Sequence, residues 1–84
     1  VRYRIKIIAK AEKDLDAIEG RIFDALKKKI LLLSVNPRPF GCKKLVSDEG
    51  YRIRSGDFRI LYRIDDHSKE VIIYRVKHRK ESYR

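Results

Sequence analysis

The sequence predicts an α+β domain, and three observations carry that prediction. Apolar and polar residues alternate near both ends of the chain, a long stretch between them repeats its apolar positions every three or four residues, and a proline pair separates the two patterns. The first eight residues, Val-Arg-Tyr-Arg-Ile-Lys-Ile-Ile, set Val1, Tyr3, Ile5 and Ile7 against Arg2, Arg4 and Lys6. That is a strand with one apolar and one basic side. From Ala9 the period lengthens, and Ala11, Leu15, Ile18, Ile22, Leu26, Ile30 and Leu33 fall on one helical stripe. Gly20 interrupts the stripe without breaking its phase, so spacing alone leaves open one helix or two. The segment Asn36-Pro37-Arg38-Pro39-Phe40-Gly41 cannot continue a helix and connects the helical half to a strand half.

Beyond the prolines the two-residue period returns. Tyr51 and Ile53 oppose Arg52 and Arg54, and Ser55-Gly56 supplies a tight turn. Phe58, Ile60, Tyr62 and Ile64 then oppose Asp57, Arg59, Leu61 and Arg63, and Asp65-Asp66-His67-Ser68 forms a loop. The last strand, Val71 to Lys77, is apolar on both faces at first, which suggests a central position in the sheet. It then alternates, with Tyr74 and Val76 opposing Arg75 and Lys77. The segment from His78 to Arg84 is a tail or one or two helical turns. The expected order is β-α-(α)-β-β-β.

With 84 residues the chain forms one domain, 1–84. Its 22 Lys and Arg against 12 Asp and Glu give a net charge of +10, while a hydrophobic share of 43% is too high for a disordered basic tail. A domain this small has little room for an enclosed cofactor pocket, so any chemistry is expected on an open face. A single cysteine, Cys42, excludes an internal disulfide framework and a zinc site built on cysteine pairs. With no signal peptide and no apolar run approaching the roughly 20 residues of a bilayer span, a cytoplasmic protein without membrane association is expected.

Across the predicted strands one face collects Arg2, Arg4, Lys6, Arg52, Arg54, Arg59, Arg63, Arg75 and Lys77, with Asp57 its one acid. The opposite, helix-facing side would hold Val1, Tyr3, Ile5, Ile7, Tyr51, Ile53, Phe58, Ile60, Tyr62, Ile64, Ile72, Tyr74 and Val76. Like charges on neighbouring strands repel, and a polyanion is the simplest compensation. Phosphate suits the preponderance of arginine. Catalytic constellations are sparse: there is no glycine-rich phosphate loop and no histidine pair at metal-ligand spacing, so neither cofactor nor metal is expected. His67 reads as a turn residue. His78, between Lys77 and Arg79, is a candidate proton carrier, and Tyr83 is either a packing residue or a polar group on the basic face.

The stretch Tyr51-Arg-Ile-Arg-Ser-Gly-Asp-Phe-Arg-Ile-Leu-Tyr-Arg-Ile64, the ending Val76-Lys-His-Arg-Lys-Glu-Ser-Tyr-Arg84 and the helical segment running into the proline turn together resemble the RelE/ParE superfamily of bacterial and archaeal toxins. The resemblance spans essentially the whole chain. It implies a small antiparallel sheet backed by a helical hairpin, hence a turn at Gly20. It also implies a toxin of a type II toxin-antitoxin system held in a hetero-oligomer by a cognate antitoxin. The basic face makes that partner acidic, wrapping the domain and packing on exposed apolar residues such as Leu61.

In the RelE branch of the superfamily the activity is cleavage of mRNA in the ribosomal A site; in the ParE branch the target is DNA gyrase. The ending of this chain looks like the RelE branch, which implies a metal-independent endoribonuclease with ribosome and mRNA as partners. By position, Arg59, Arg79, Tyr83 and His78 match the catalytic set. Arg52 and Arg54 match the basic pair of the preceding strand, and Lys43, Lys44, Lys77, Lys80 and Arg84 complete the expected RNA-binding residues. One departure stands out. Some ribosome-dependent relatives carry a glutamate base just after the proline turn, where this chain has Lys43 and Lys44, leaving the reaction to cations, His78 and Tyr83. The competing readings are a gyrase inhibitor and a nucleic-acid-binding module without activity.

Overall fold

A computed structural model describes residues 2–45 and 50–80. Strand β1 (Arg4–Ile7) leads into helices α1 (Ala9–Asp16) and α2 (Gly20–Val35). Strands β2 (Lys43–Lys44), β3 (Tyr51–Ser55), β4 (Phe58–Asp65) and β5 (Glu70–His78) follow. The α+β class and the order read from the sequence hold, with the two-residue β2 added. The sheet runs β1-β5-β4-β3-β2. Strands β2 to β5 are antiparallel as expected, whereas β1 joins β5 in parallel, because the helical hairpin carries the chain across one face before the later strands form.

The hairpin resolves the Gly20 ambiguity. Gly20 has φ +67°, a left-handed conformation that no continuous α-helix contains, so the stripe is split into two helices. Ala11 and Leu15 of α1 and Leu26, Ile30 and Leu33 of α2 are buried against Ile53, Ile60, Tyr62, Val71, Ile73 and Val76 of the sheet. Ile22, placed on the same stripe by its spacing, is 53% exposed, because it lies in the first turn of α2 beyond the break. No helix among the described residues is long and apolar enough to cross a membrane.

Strand β5 departs from simple alternation. Leu61 pairs with Arg75 but Tyr62 pairs with Ile73, so Tyr74 is an extra residue in a β-bulge. Core positions on β5 are therefore Val71, Ile73 and Val76. Ile72 and Tyr74, expected on the helix-facing side, are not among them: Ile72 pairs with Arg63 and with Lys6 on the open side.

Helix α1 lies against the half of β5 that β1 does not reach. There the Asp14 carboxylate accepts hydrogen bonds from the Val76 backbone N–H at 2.9 Å and from the Arg75 guanidinium at 2.9 and 3.3 Å. Burial alone would raise the Asp14 carboxyl, but these bonds outweigh it and hold the group below the usual carboxylate value.

The proline turn is fastened to the sheet by a buried hydroxyl and an exposed clasp. Tyr62, fully buried, donates its O–H to the Pro37 carbonyl at 2.8 Å, and burial pushes its phenol well above the ordinary value. Arg38 forms a two-pronged contact with Asp66, at 2.8 and 3.3 Å, and donates to the Tyr51 hydroxyl at 3.2 Å. This fixes where the chain re-enters the sheet at β2, beside the open face.

Candidate active site

The β3–β4 hairpin builds the site. Ser55 pairs with Phe58 around a two-residue turn at Gly56 and Asp57, and that register sets Arg54 opposite Arg59 and Arg52 opposite Leu61. Extending each row across the sheet adds Lys77 beside Arg59, and Lys43 beside Arg52. Arg54, Arg59 and Lys77 thus form a row of three cations across three strands. Residues directly opposite on antiparallel strands lie about 4.5–5.5 Å apart at Cβ, where like charges are destabilising.

These rows border an open cleft of about 240 Å³ lined by Gly41, Lys43, Arg52, Ile53, Arg54 and Arg59. None of these lining residues is acidic. Arg52 and Arg59 are half-buried, Lys43 and Arg54 exposed. The backbone N–H of Arg79 donates to the Asp57 carbonyl at 2.7 Å, which ties the exit of β5 to the hairpin turn and brings Arg79 to the end of the sheet where β4 begins. The arrangement suits a phosphodiester: several guanidinium groups converge on an exposed surface, each able to donate two parallel hydrogen bonds to phosphate oxygens.

Not every expected residue joins this cluster. His78 pairs with Phe58 and meets its ring edge-on at 5.1 Å. It lines a groove on the helix side with Arg21, Ile22 and Ala25 of α2, so the sheet separates it from the cleft. Its Nδ1 accepts from the Lys80 backbone N–H at 3.2 Å. The neighbouring residues in sequence suggested a shared site, but the strand's alternation sends His78 to the opposite face from Lys77.

Lys44 borders a different groove with Arg38, Arg63 and Asp66, and Lys80 is exposed past the end of β5. Tyr83 and Arg84 lie outside the described residues. Arg75, counted among the phosphate-facing cations, is instead hydrogen-bonded to Asp14, and Leu61 is half-buried rather than exposed. His67 is an exposed turn residue whose backbone N–H donates to Asp65 Oδ1.

Sequence reasoning missed Gly41, whose place in the cleft follows from the fastening of the proline turn, and the Asp14–Arg75 pair. The second had no local signal, since 61 residues separate the partners. Among the described residues no cluster of three or more His, Cys, Asp or Glu could hold a metal ion.

The model of the family described as the ParE toxin of type II toxin-antitoxin systems, parDE, matches residues 5–83. The chain belongs to this family of toxins, within the RelE/ParE superfamily. The toxin is 32% identical to the toxin RelG of Mycobacterium tuberculosis over 85 residues, covering 98% of this chain and 97% of the relative. Its fold is similar to the toxin-antitoxin complex RelBE2 of the same organism, with a TM-score of 0.82 at 33% identity over 93% of this chain and 99% of the other. The archaeal RelE–RelB complex of Pyrococcus horikoshii matches with a TM-score of 0.80 at 25% identity over 94% of this chain and 97% of the other. Both of those structures are toxin-antitoxin complexes, and the toxin described here is one of a type II system.

Proposed function

We propose that this toxin is a metal-independent endoribonuclease that cuts mRNA on the ribosome. The observation that carries the reading is the row Arg54–Arg59–Lys77 above a cleft that Lys43, Arg52, Arg54 and Arg59 line. In the reaction a ribose 2′-hydroxyl attacks the adjacent phosphorus and gives up its proton. The bond from phosphorus to the 5′-oxygen breaks and that oxygen takes up a proton, leaving a 2′,3′-cyclic phosphate and a 5′-hydroxyl. Arg59 and Arg79 stabilise the charge that grows on the non-bridging oxygens. Arg52, Arg54, Lys43 and Lys77 hold the flanking backbone.

An arginine of ordinary basicity is a poor general base, and His78 faces the helices, so this chain supplies binding and electrostatics in excess of acid–base groups. Tyr83 is the remaining candidate for proton transfer. That deficit fits an enzyme whose partner, the ribosome, aligns the 2′-hydroxyl, a contribution that reaches about 7–11 kcal/mol in favourable cases. The chain's match to a family described by its ParE toxin favours a second reading, inhibition of DNA gyrase.

Incubating the toxin with programmed ribosomes and mapping mRNA ends separates the two. Cuts in phase with the codon, ending in cyclic phosphate, support the nuclease. Intact mRNA together with gyrase–DNA adducts overturns it in favour of the second reading.

A further inference from the structure

Tyr74 owes its position to the bulge in β5. As the extra residue between the Ile73 and Arg75 pairings, it leaves the core alternation. Its ring lies beneath the Arg63 guanidinium, 5.1 Å from the ring centroid. Arg63 follows Arg59 and Leu61 at two-residue steps along β4, so this contact is on the open, cationic face. The other strand tyrosines, Tyr51 and Tyr62, stack on each other with centroids 5.9 Å apart, where Tyr62 is part of the core.

Gly50 borders the ring. A Cβ at that position would stand 3.4 Å from the Tyr74 hydroxyl and only 2.7 Å from the Tyr62 carbonyl oxygen, and its φ of +134° is one that side chains rarely adopt. A side chain there would clash with the Tyr62 backbone, so the chain passes beside Tyr74 and Arg63 as bare glycine backbone. The result is a half-buried aromatic ring and an exposed guanidinium in contact, about 13 Å along β4 from Arg59.

We propose that Tyr74 and Arg63 form a base-stacking platform that receives a nucleobase flanking the phosphate held at Arg59. The inference rests on the RNA reading above and extends it from the phosphate to the base. Single-stranded RNA is held by such pairs: bases stack on aromatic rings and on guanidinium planes, and cation–π attraction keeps the two protein groups together. Every base has a π face, so the platform adds affinity and fixes the strand's direction without choosing the codon.

The test uses ribosomes programmed with mRNA that carries fluorescent 2-aminopurine at one position at a time, and a 2′-deoxy sugar at the cleavage position to prevent cutting. The full-length toxin is expected to quench the probe at one position beside the cleavage site. Tyr74→Leu should abolish that quench and weaken binding about tenfold, and Tyr74→Phe should restore both. A purely structural role for Tyr74 would not single out one nucleotide.

Arg63→Gln, at an exposed position, is expected to reduce the quench with an unaltered thermal melt, and it decides the matter independently of how the Leu variant folds. Full quench in both Tyr74→Leu and Arg63→Gln, with cleavable mRNA still cut by the wild type, overturns the platform alone. Absence of cutting by the wild type overturns the nuclease reading itself.

Discussion

Around the proline turn and along the far side of β5, arginines grip acids from distant parts of the chain; in the cleft, cations stand side by side on neighbouring strands. Arg38 is gripped by Asp66 and Tyr51, and Arg75 is locked to Asp14. The cleft gathers Lys43, Arg52, Arg54 and Arg59, with no acid among its described lining residues. The first region uses charge to join segments far apart in sequence, and its pairs would lose by gaining a phosphate competitor. The second sets cations directly opposite one another across strands, an arrangement suited to a polyanion. The same residue type thus marks structure in one place and, in the function proposed above, binding in the other.

The largest effect expected from breaking this contrast is at Arg59. Arg59→Ala should lower the single-turnover cleavage rate on programmed ribosomes by about 10²–10³, with circular dichroism unchanged. Wild-type rates in the folded variant would remove this face from the chemistry. Next comes the double variant Arg52→Ala/Arg54→Ala. Each phosphate contact on a single strand contributes about 0.7 to the slope of log affinity against log salt. Losing two should flatten that slope by about 1.4, and an unchanged slope would move the RNA path off β3.

In the structural region the sign reverses: substitution there costs stability and spares the salt dependence. Asp14→Ala strips the partner from Arg75 and from the Val76 N–H, and hydrogen bonds to charged groups are worth about 1.5–3 kcal/mol each. Urea unfolding should show a loss of at least about 1.5 kcal/mol, and a variant as stable as the wild type would deny the clasp any energetic role. The smallest effect is at Asp66. Hydrogen bonds from Arg38 and then Tyr3 hold its carboxyl at about 2, below its ordinary 3.8. A depressed value stabilises the fold above the ordinary pKa, and the gain disappears as pH falls through the folded value. Thermal melts between pH 5 and 2 should therefore decline more steeply for the wild type than for Asp66→Asn, and parallel declines would refute the contribution.

How much of this was legible from residues alone varied with the range of the interaction. The alternation of Tyr51 to Ile64 was enough to place Arg52, Arg54 and Arg59 on one face, because strand periodicity is local. It failed on β5. The apolar run Val71-Ile72-Ile73 hides its own phase, and a bulge depends on the partner strand, so Ile72 and Tyr74 were assigned to the wrong side. His78 was drawn toward the site by its cationic neighbours, although alternation from Lys77 points it to Phe58. Arg75 looked like one more phosphate ligand until a helix 61 residues away supplied its acid.

The carboxylate of Asp14 also determines what kind of company the sheet can keep. A strand edge with unsatisfied N–H groups invites another strand, whether from a partner or from a second copy, and runaway addition of that sort is how sheets aggregate. Where β1 stops short, Asp14 takes the Val76 donor and α1 occupies the place a new strand would need. At the opposite border β2 is only Lys43-Lys44, too short and too charged to template an extension. A partner therefore gains nothing by lengthening the ladder at these two places. There it is left to grip side chains, and recognition falls to the pattern of charges and apolar groups the toxin displays.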